Sequence, residues 1–275
     1  MRNFSVILRM DLVSSVRSRM FWIYAAVVLG TIAAIFGSGV TDSRVMGFTG
    51  LTRLLLIFIQ ACNLVLPVFI LVSTVRTLVK ERETNVFEYL LSYPITLGEY
   101  YWAKSLSRFL VIAIPLVAGL GFAAVFSVVR AQSVPWDLIA LYTALLIANT
   151  FYFTGLSFLI SSLVRSQEVG LGIALFLWLI LIAFLDIAML GLLIKAMVPE
   201  NVIYAVALVN PVQVFKIAAI SLFDPVLSVI GPAAYFILDI FGNTMLIVYA
   251  LGYLLVFGLL FLLLGYRSFI SRDLL

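Results

Sequence analysis

Six long apolar runs constrain the fold of this sequence more than any other feature. We predict membrane spans at residues 21–40, 54–75, 106–129, 137–163, 169–198 and 244–264. A helix of about 20 apolar residues crosses the hydrocarbon core of a bilayer. Hydrophobic residues make up 64% of the chain and charged residues 11%, whereas an ordinary soluble domain has about 45–50% and about 25%. The sequence therefore predicts a single all-α integral membrane domain over residues 1–275, with six transmembrane helices.

Basic residues are unevenly divided between the two sides that these spans define. With six spans both termini lie on one side, and that side carries 12 of the chain's 17 lysines and arginines. The positive-inside rule then places both termini in the cytoplasm. The net charge of +4 is therefore interpreted as a topology signal, and no nucleic-acid partner is predicted.

Residues 1–20 form a basic, amphipathic stretch ahead of the first span. Apolar residues recur every four positions at Phe4, Leu8, Leu12 and Val16. The arginines of this stretch and Asp11 occupy its other faces. A basic helix with one apolar face is typical of the membrane interface, in contact with lipid, and we predict an interfacial helix here.

Several classes of enzyme are excluded by residues that the sequence lacks. The chain has no histidine, which removes histidine-based nucleophilic catalysis and most zinc sites. Its one cysteine, Cys62, rules out an internal disulfide. No phosphate-binding P-loop motif is present, and the methionines are too scattered to suggest a metal site. We therefore predict neither a catalytic nor a metal site, and any ATP that drives this protein is bound by another chain.

A patterned polar segment, residues 76–104, separates the second and third spans. Two residue pairs in it have the spacing of a helix capping box, Asn85 with Glu88 and Thr96 with Glu99. The first box predicts a short, half-apolar helix over residues 86–91, which ends before Pro94. The second predicts a helix that leads into the third span. A short capped helix on the cytoplasmic side is interpreted as a docking element, and a solvated linker is the alternative.

The segment 199–242 is predicted to lie on the outer side of the membrane. It carries four of the chain's eight prolines, and its apolar pieces are each too short to cross a bilayer. We predict short re-entrant or hairpin helices before the sixth span. The Asn210-Pro211 pair indicates a turn between the first two of them.

One carboxylate, Asp186, lies deep within the fifth predicted span. Such a group costs about 3 kcal/mol to insert, so it should face protein or water instead of lipid. It is a candidate for the substrate path or a dimer interface, or else a hydrogen-bonded structural acid. A secondary transporter that uses Asp186 as an ion carrier is therefore an alternative function. An intramembrane enzyme is disfavoured by the lack of histidine.

The polar segment resembles the cytoplasmic signature of ABC-type-2 transporter permeases. The resemblance is carried by the run KERET at 80–84, the run VFEYLLS at 86–92, Pro94 and Lys104. Asn85-Val86 departs from the Gly-Thr usual in that family, but asparagine is an equally good N-cap. The resemblance implies a permease in a bacterial or archaeal inner membrane, powered by cytoplasmic ATPase subunits that bind ATP and Mg²⁺.

In that family the helix at residues 86–91 would be the coupling helix, seated in a groove of the ATPase. The residues implied in coupling are Glu81, Arg82, Glu83, Val86, Phe87, Glu88, Leu90 and Leu91. The apolar members would pack in the groove and the charged members would form its polar rim.

A narrower resemblance points to one branch of the family. Phe184-Leu185-Asp186 and the run LVNP at 208–211 are similar to the permease of the nitrous-oxide reductase maturation (copper-processing) transporter. That resemblance implies a homodimer, two ATPase subunits and a periplasmic accessory protein. An ABC-type-2 exporter of lipid, drug or peptide is the alternative within the family.

Overall fold

A computed structural model describes residues 2–37, 50–84, 94–130, 134–184, 200–223 and 232–273. Within these ranges the regular structure is helical, with one π-helical turn, Ile180–Phe184, and no strand. The helices are α1 (Arg2–Val16), α2 (Arg19–Gly37), α3 (Gly50–Glu83), α4 (Leu97–Val129), α5 (Trp136–Leu163), α6 (Gln167–Leu179), α7 (Glu200–Val209), α8 (Pro211–Ser221) and α9 (Pro232–Asp273). The all-α prediction is confirmed for this part of the chain.

Four helical segments are long and apolar enough to cross a membrane: Leu54–Glu83, Leu97–Val129, Trp136–Leu163 and Gly242–Ser271. They contain the second, third, fourth and sixth predicted spans. Helices α1 and α2 pass the same test only as a pair, bent by 66°. The first and fifth predicted spans run into residues 38–49 and 185–199, which lie outside the described ranges. The count of six spans therefore stays a prediction.

Helix α5 lies at the centre of the bundle, and its most extensive partner is α9. Glycines set the spacing between these two helices. A Cβ atom on Gly155 would overlap the carbonyl oxygen of Gly258, and one on Gly265 would come within 3.1 Å of the Leu159 Cα atom. The two backbones therefore touch, as in membrane helix pairs that associate through small residues.

Two short helices, α7 and α8, lie in the segment 199–242, and their re-entrant or hairpin arrangement stays a prediction. Asn210 caps α8, its side chain accepting a hydrogen bond from the Val212 amide at 3.0 Å, and Pro211 is the first helical residue. Helix α8 is almost wholly buried and packs against α3, α5 and α9. From Pro232 the chain is already helical, and it bends at Gly242, whose φ of 69° favours glycine. The position of this segment in the membrane stays a prediction.

Helix α1 differs from its predicted pattern. Its buried face is formed by Ile7, Asp11 and Ser15, each below 5% exposed, while Val16 from the predicted apolar stripe is 39% exposed. Phe4 packs only partly against the core. Sequence periodicity placed Asp11 on a polar outer face, but the structure buries it because cations from α4 face it.

Candidate functional site

The polar segment 76–104 is helical at both of its described ends. Helix α3 continues to Glu83, and α4 begins at Leu97. The second capping box is confirmed: the Glu99 amide donates to the Thr96 hydroxyl at 3.1 Å, and the Thr96 amide donates to the Glu99 carboxylate at 3.3 Å. The segment between them, 85–93, lies outside the described residues. It contains the first capping box and five predicted coupling residues, namely Val86, Phe87, Glu88, Leu90 and Leu91.

A charged cluster joins α1, α3 and α4 at this end of the bundle. The Lys104 ammonium donates to Asp11 Oδ1 at 2.7 Å and to Glu81 Oε1 at 2.5 Å. The Tyr100 hydroxyl donates to the other oxygen of Glu81. Arg108 Nε lies 3.7 Å from Asp11 Oδ2. We call these five residues the ion cluster.

The ion cluster is charge-balanced and largely shielded from water. The side chains of Asp11, Lys104 and Glu81 are 4%, 8% and 20% exposed. Burial by itself raises the pKa of the Asp11 carboxyl, but the positive charges of Arg108 and Lys104 outweigh burial and hold that pKa below its usual value. Asp11 is therefore ionised at neutral pH, and each charge in the cluster depends on its partners.

A small apolar cluster beside these charges explains why they are buried. It is formed by Ile7, Leu78, Tyr100, Tyr101, Ala103, Phe158, Leu262 and Phe269, which come from α1, α3, α4, α5 and α9. Tyr101 stands at its centre, donating a hydrogen bond from its hydroxyl to the Leu262 carbonyl at 3.0 Å. The C-terminal part of α9 thus lies at the same end of the bundle as α1 and the polar segment.

A second set of contacts ties the end of α3 to the turn between α5 and α6. Arg82 Nη1 donates to the Val164 carbonyl at 3.0 Å. The Glu83 carboxylate accepts from the Gln167 backbone amide at 2.9 Å and also from the Gln167 side-chain amide. We call these four residues the clasp. It connects the end of α3 to the turn before α6, 82 to 84 residues away in sequence.

The structure therefore places three of the predicted coupling residues next to the undescribed segment. Glu81 is directed into the ion cluster, Arg82 is half-buried in the clasp, and Glu83 is exposed while bonded to Gln167. Their predicted role towards a partner stays a prediction. Asp186 lies outside the described residues.

Sequence reasoning did not single out Asp11 or Gln167 as site residues. The one available signal for Asp11 was its position, one helical turn after Ile7 and the only acid among the basic residues of the N-terminal stretch. Among the described residues no group of three histidine, cysteine, aspartate or glutamate side chains is arranged to hold a metal ion.

These features define a multi-pass helical membrane protein in which charged contacts join several helices at one end of the bundle. The chain belongs to the family described as ABC-2 family transporter protein, which matches residues 5–274. Proteins of this family are membrane permease subunits, and their transporters include a partner ATPase subunit. The membership of this family that the sequence predicted is confirmed.

Two relatives carry the name "Probable ABC transporter permease protein NosY". The one from Stutzerimonas stutzeri is 23% identical over 226 residues, covering 79% of this chain and 81% of the relative. The one from Pseudomonas aeruginosa is 23% identical over 230 residues, covering 79% of this chain and 82% of the relative. This chain is similar to both over most of their length.

Proposed function

We propose that this chain couples ATP hydrolysis by a partner subunit, which binds ATP and Mg²⁺, to substrate movement across the inner membrane. The observation that carries this proposal is the set of contacts made by the described residues on either side of segment 85–93. Its leading flank is bonded to α1 and α4 through Glu81 and to the α5–α6 turn through Arg82 and Glu83. Its trailing flank is the capped start of α4.

These contacts provide a path by which a displacement of segment 85–93 would reach the other helices. A partner that displaces segment 85–93 would move the end of α3. The ion cluster would carry that displacement to α1 and α4, and the clasp would carry it to α5 and α6. Charged hydrogen bonds hold geometry well, so packed helices joined in this way shift between discrete arrangements instead of deforming gradually.

We propose that residues 86–91 form the coupling helix that a groove of the ATPase receives. Its apolar side chains would bury there, and Glu83 and Glu88 would lie on the polar rim. Glu81 and Arg82 would act indirectly, by fixing the end of α3 that precedes the coupling helix. Their side chains form hydrogen bonds with other residues of this chain.

Charge reversal at Glu83 and Glu88 together is expected to release the ATPase without harming membrane insertion. The double variant Glu83→Lys with Glu88→Lys should reduce the ATPase recovered with the tagged permease about tenfold or more, since like charges facing across an interface cost several kcal/mol. Pull-down in mild detergent, with both chains quantified, measures this. Undiminished recovery of the ATPase would remove the docking role.

Gln167→Ala is the matched control, because it removes the hydrogen bond from the Gln167 side-chain amide to Glu83 and keeps the backbone hydrogen bond and both carboxylates. It should leave ATPase recovery near the wild-type level while lowering transport per ATP hydrolysed. If Gln167→Ala loses the ATPase as completely as the double charge reversal does, Glu83 acts only through the clasp.

We propose that transport by this chain serves the maturation of nitrous-oxide reductase, including its copper site. Support comes from the two NosY relatives and from the similarity at residues 184–186 and 208–211. The assembly would then be a homodimer of this chain with two ATPases and a periplasmic accessory protein. Deleting the gene in its own organism should abolish nitrous-oxide reduction. If reduction is unaffected, the exporter alternative for lipid, drug or peptide takes its place.

Asp186→Ala tests the predicted substrate path. The variant is expected to assemble normally with the ATPase but to lose transport. A carboxylate deep in a predicted span is costly to insert, so its value lies in the groups that it contacts there. Transport and ATPase recovery are measured on the same preparation. Normal transport would assign Asp186 a structural role, and transport driven by an ion gradient without ATP would favour the secondary-transporter alternative.

A further inference from the structure

A hydrogen bond connects the neighbourhoods of the two motifs that carry the narrower resemblance, and the coupling proposed above uses neither motif. One motif begins at the last residue of the π-helical turn Ile180–Phe184. The other, the run LVNP at 208–211, joins α7 to α8. The Asn210 side-chain amide donates to the Leu181 carbonyl at 2.8 Å, although these residues are 29 positions apart. The junction between the two short helices is therefore bonded to the turn.

Asn210 uses both polar atoms of its side chain. Its oxygen accepts from the Val212 amide at 3.0 Å and caps α8, while its nitrogen donates to the carbonyl of Leu181. The residue is 2% exposed. Aspartate and serine cap a helix as well as asparagine does, but neither has an amide donor. The cap therefore explains the oxygen, and the nitrogen has a separate role.

The junction between α7 and α8 is also held to α9. The Tyr249 hydroxyl donates to the Leu208 carbonyl at 2.9 Å, and the Tyr253 hydroxyl donates to the Val209 carbonyl. These carbonyls are among the last four of α7, which have no partner within their own helix. Three consecutive residues, 208–210, are thus each bonded to another element, two of them to α9 and one to the π-helical turn.

A π-helical turn is rare within helices and has a defined geometric consequence. Its hydrogen bonds span five residues instead of four, so it accommodates one extra residue, and such turns are frequent at functional sites. If the turn relaxed to α-helix, the segments on its two sides would rotate relative to one another. The rotation would be about 100°, which is the rotation per residue of an α-helix. Leu181, the acceptor of the Asn210 bond, lies within this turn.

We infer that Asn210 is a positioning residue that keeps the turn π-helical. Through it, the α7–α8 junction sets the rotation of α6 relative to the residues beyond the turn. While the amide is bound to Leu181, the turn stays π-helical. When the junction moves away, the bond is lost and the turn relaxes to α-helix, which gives this span two discrete arrangements. The inference requires neither an ATPase nor a substrate, so its failure is distinct from failure of the proposed function.

Asn210→Asp and Asn210→Ser separate this role from helix capping. Both variants keep an N-cap and remove the amide donor. Only the aspartate adds a charge, so an effect common to both is not a charge effect. Loss of one buried hydrogen bond should lower the thermal midpoint of the full chain in mild detergent by about 3–8 °C. Tyr249→Phe is the matched control, because it removes a donor to Leu208 at the same junction and leaves the Asn210 bond in place.

Deletion of Ile182 tests the link between Asn210 and the turn. Removing the extra residue converts a π-helical turn to α-helix without rotating the segments on its two sides. In that background Asn210→Ser should lower the midpoint by less than about 2 °C further, because the arrangement that its side chain supports is already gone. Tyr249→Phe should keep its full effect. Additive effects of Asn210→Ser and the deletion would overturn the inference.

Electron cryomicroscopy of the Asn210→Ser chain, with an antibody fragment bound for size, shows the turn directly and does not depend on the deletion variant. We expect residues 180–184 to become α-helical, with a rotation of about 100° across them. In Tyr249→Phe the π-helical turn should remain. A π-helical turn that persists unchanged in Asn210→Ser would refute the positioning role, whatever the deletion shows.

Discussion

Lys104→Met is expected to destabilise the chain by about 3 kcal/mol or more, because it leaves two carboxylates facing one another in a shielded site. Asp11 and Glu81 would lose the ammonium that lies 2.7 Å and 2.5 Å from them. Arg108, at 3.7 Å from Asp11, compensates only in part. Helix α1 should then detach from α4, and the end of α3 should lose its link to both.

The measurement is the midpoint of thermal unfolding of the full chain in mild detergent, followed by size-exclusion chromatography. Lys80→Met is the matched control, since Lys80 is an exposed lysine one residue before Glu81. It should behave as wild type. Adding Asp11→Asn and Glu81→Gln to Lys104→Met should recover part of the loss, because the unpaired charges are removed as well. A triple variant no more stable than Lys104→Met would show that the ammonium acts by packing and not by charge.

The same variant tests the coupling route. If the ion cluster transmits motion, the triple variant should remain folded and retain the ATPase while transport per ATP falls. If transport per ATP is unchanged in a folded triple variant, the cluster is only a structural brace and the clasp alone would connect segment 85–93 to the bundle.

Local features of this fold could be predicted from sequence, and they were confirmed where the structure describes them. The Thr96–Glu99 box requires residues three apart, and the Asn210-Pro211 turn requires neighbours. The four long spans follow from hydropathy alone. In each case the physical cause lies within one stretch of the chain.

The ion cluster could not be predicted in the same way, because its parts come from distant stretches. Asp11 and Lys104 are 93 residues apart, and nothing in the N-terminal periodicity shows that α1 turns this acid towards α4. The clasp likewise depends on the packing of α3 against α6, which brings Glu83 to Gln167. The family resemblance located the polar segment, but these contacts between helices are supplied only by the three-dimensional arrangement.

Gly155→Ala is expected to be the most damaging single-methyl change in the bundle. An alanine Cβ at this position would overlap the carbonyl oxygen of Gly258 on α9, and a backbone atom cannot rotate aside as a side chain does. The central pair of helices would have to separate along its whole length, with a cost of about 2–3 kcal/mol from overpacking. Within a helix, alanine is otherwise favoured over glycine by about 1 kcal/mol, so propensity predicts the opposite sign.

Gly252→Ala provides the comparison, because it makes the same chemical change on α9 where a Cβ atom meets nothing within 4 Å. We expect Gly252→Ala to be neutral or slightly stabilising and Gly155→Ala to lower the thermal midpoint and the yield of monodisperse protein. If both glycines tolerate alanine equally, α5 and α9 do not touch at Gly155. The Tyr101 hydroxyl, which donates to the Leu262 carbonyl on α9, would then change position as well. A single methyl group thus tests the packing that positions the coupling site.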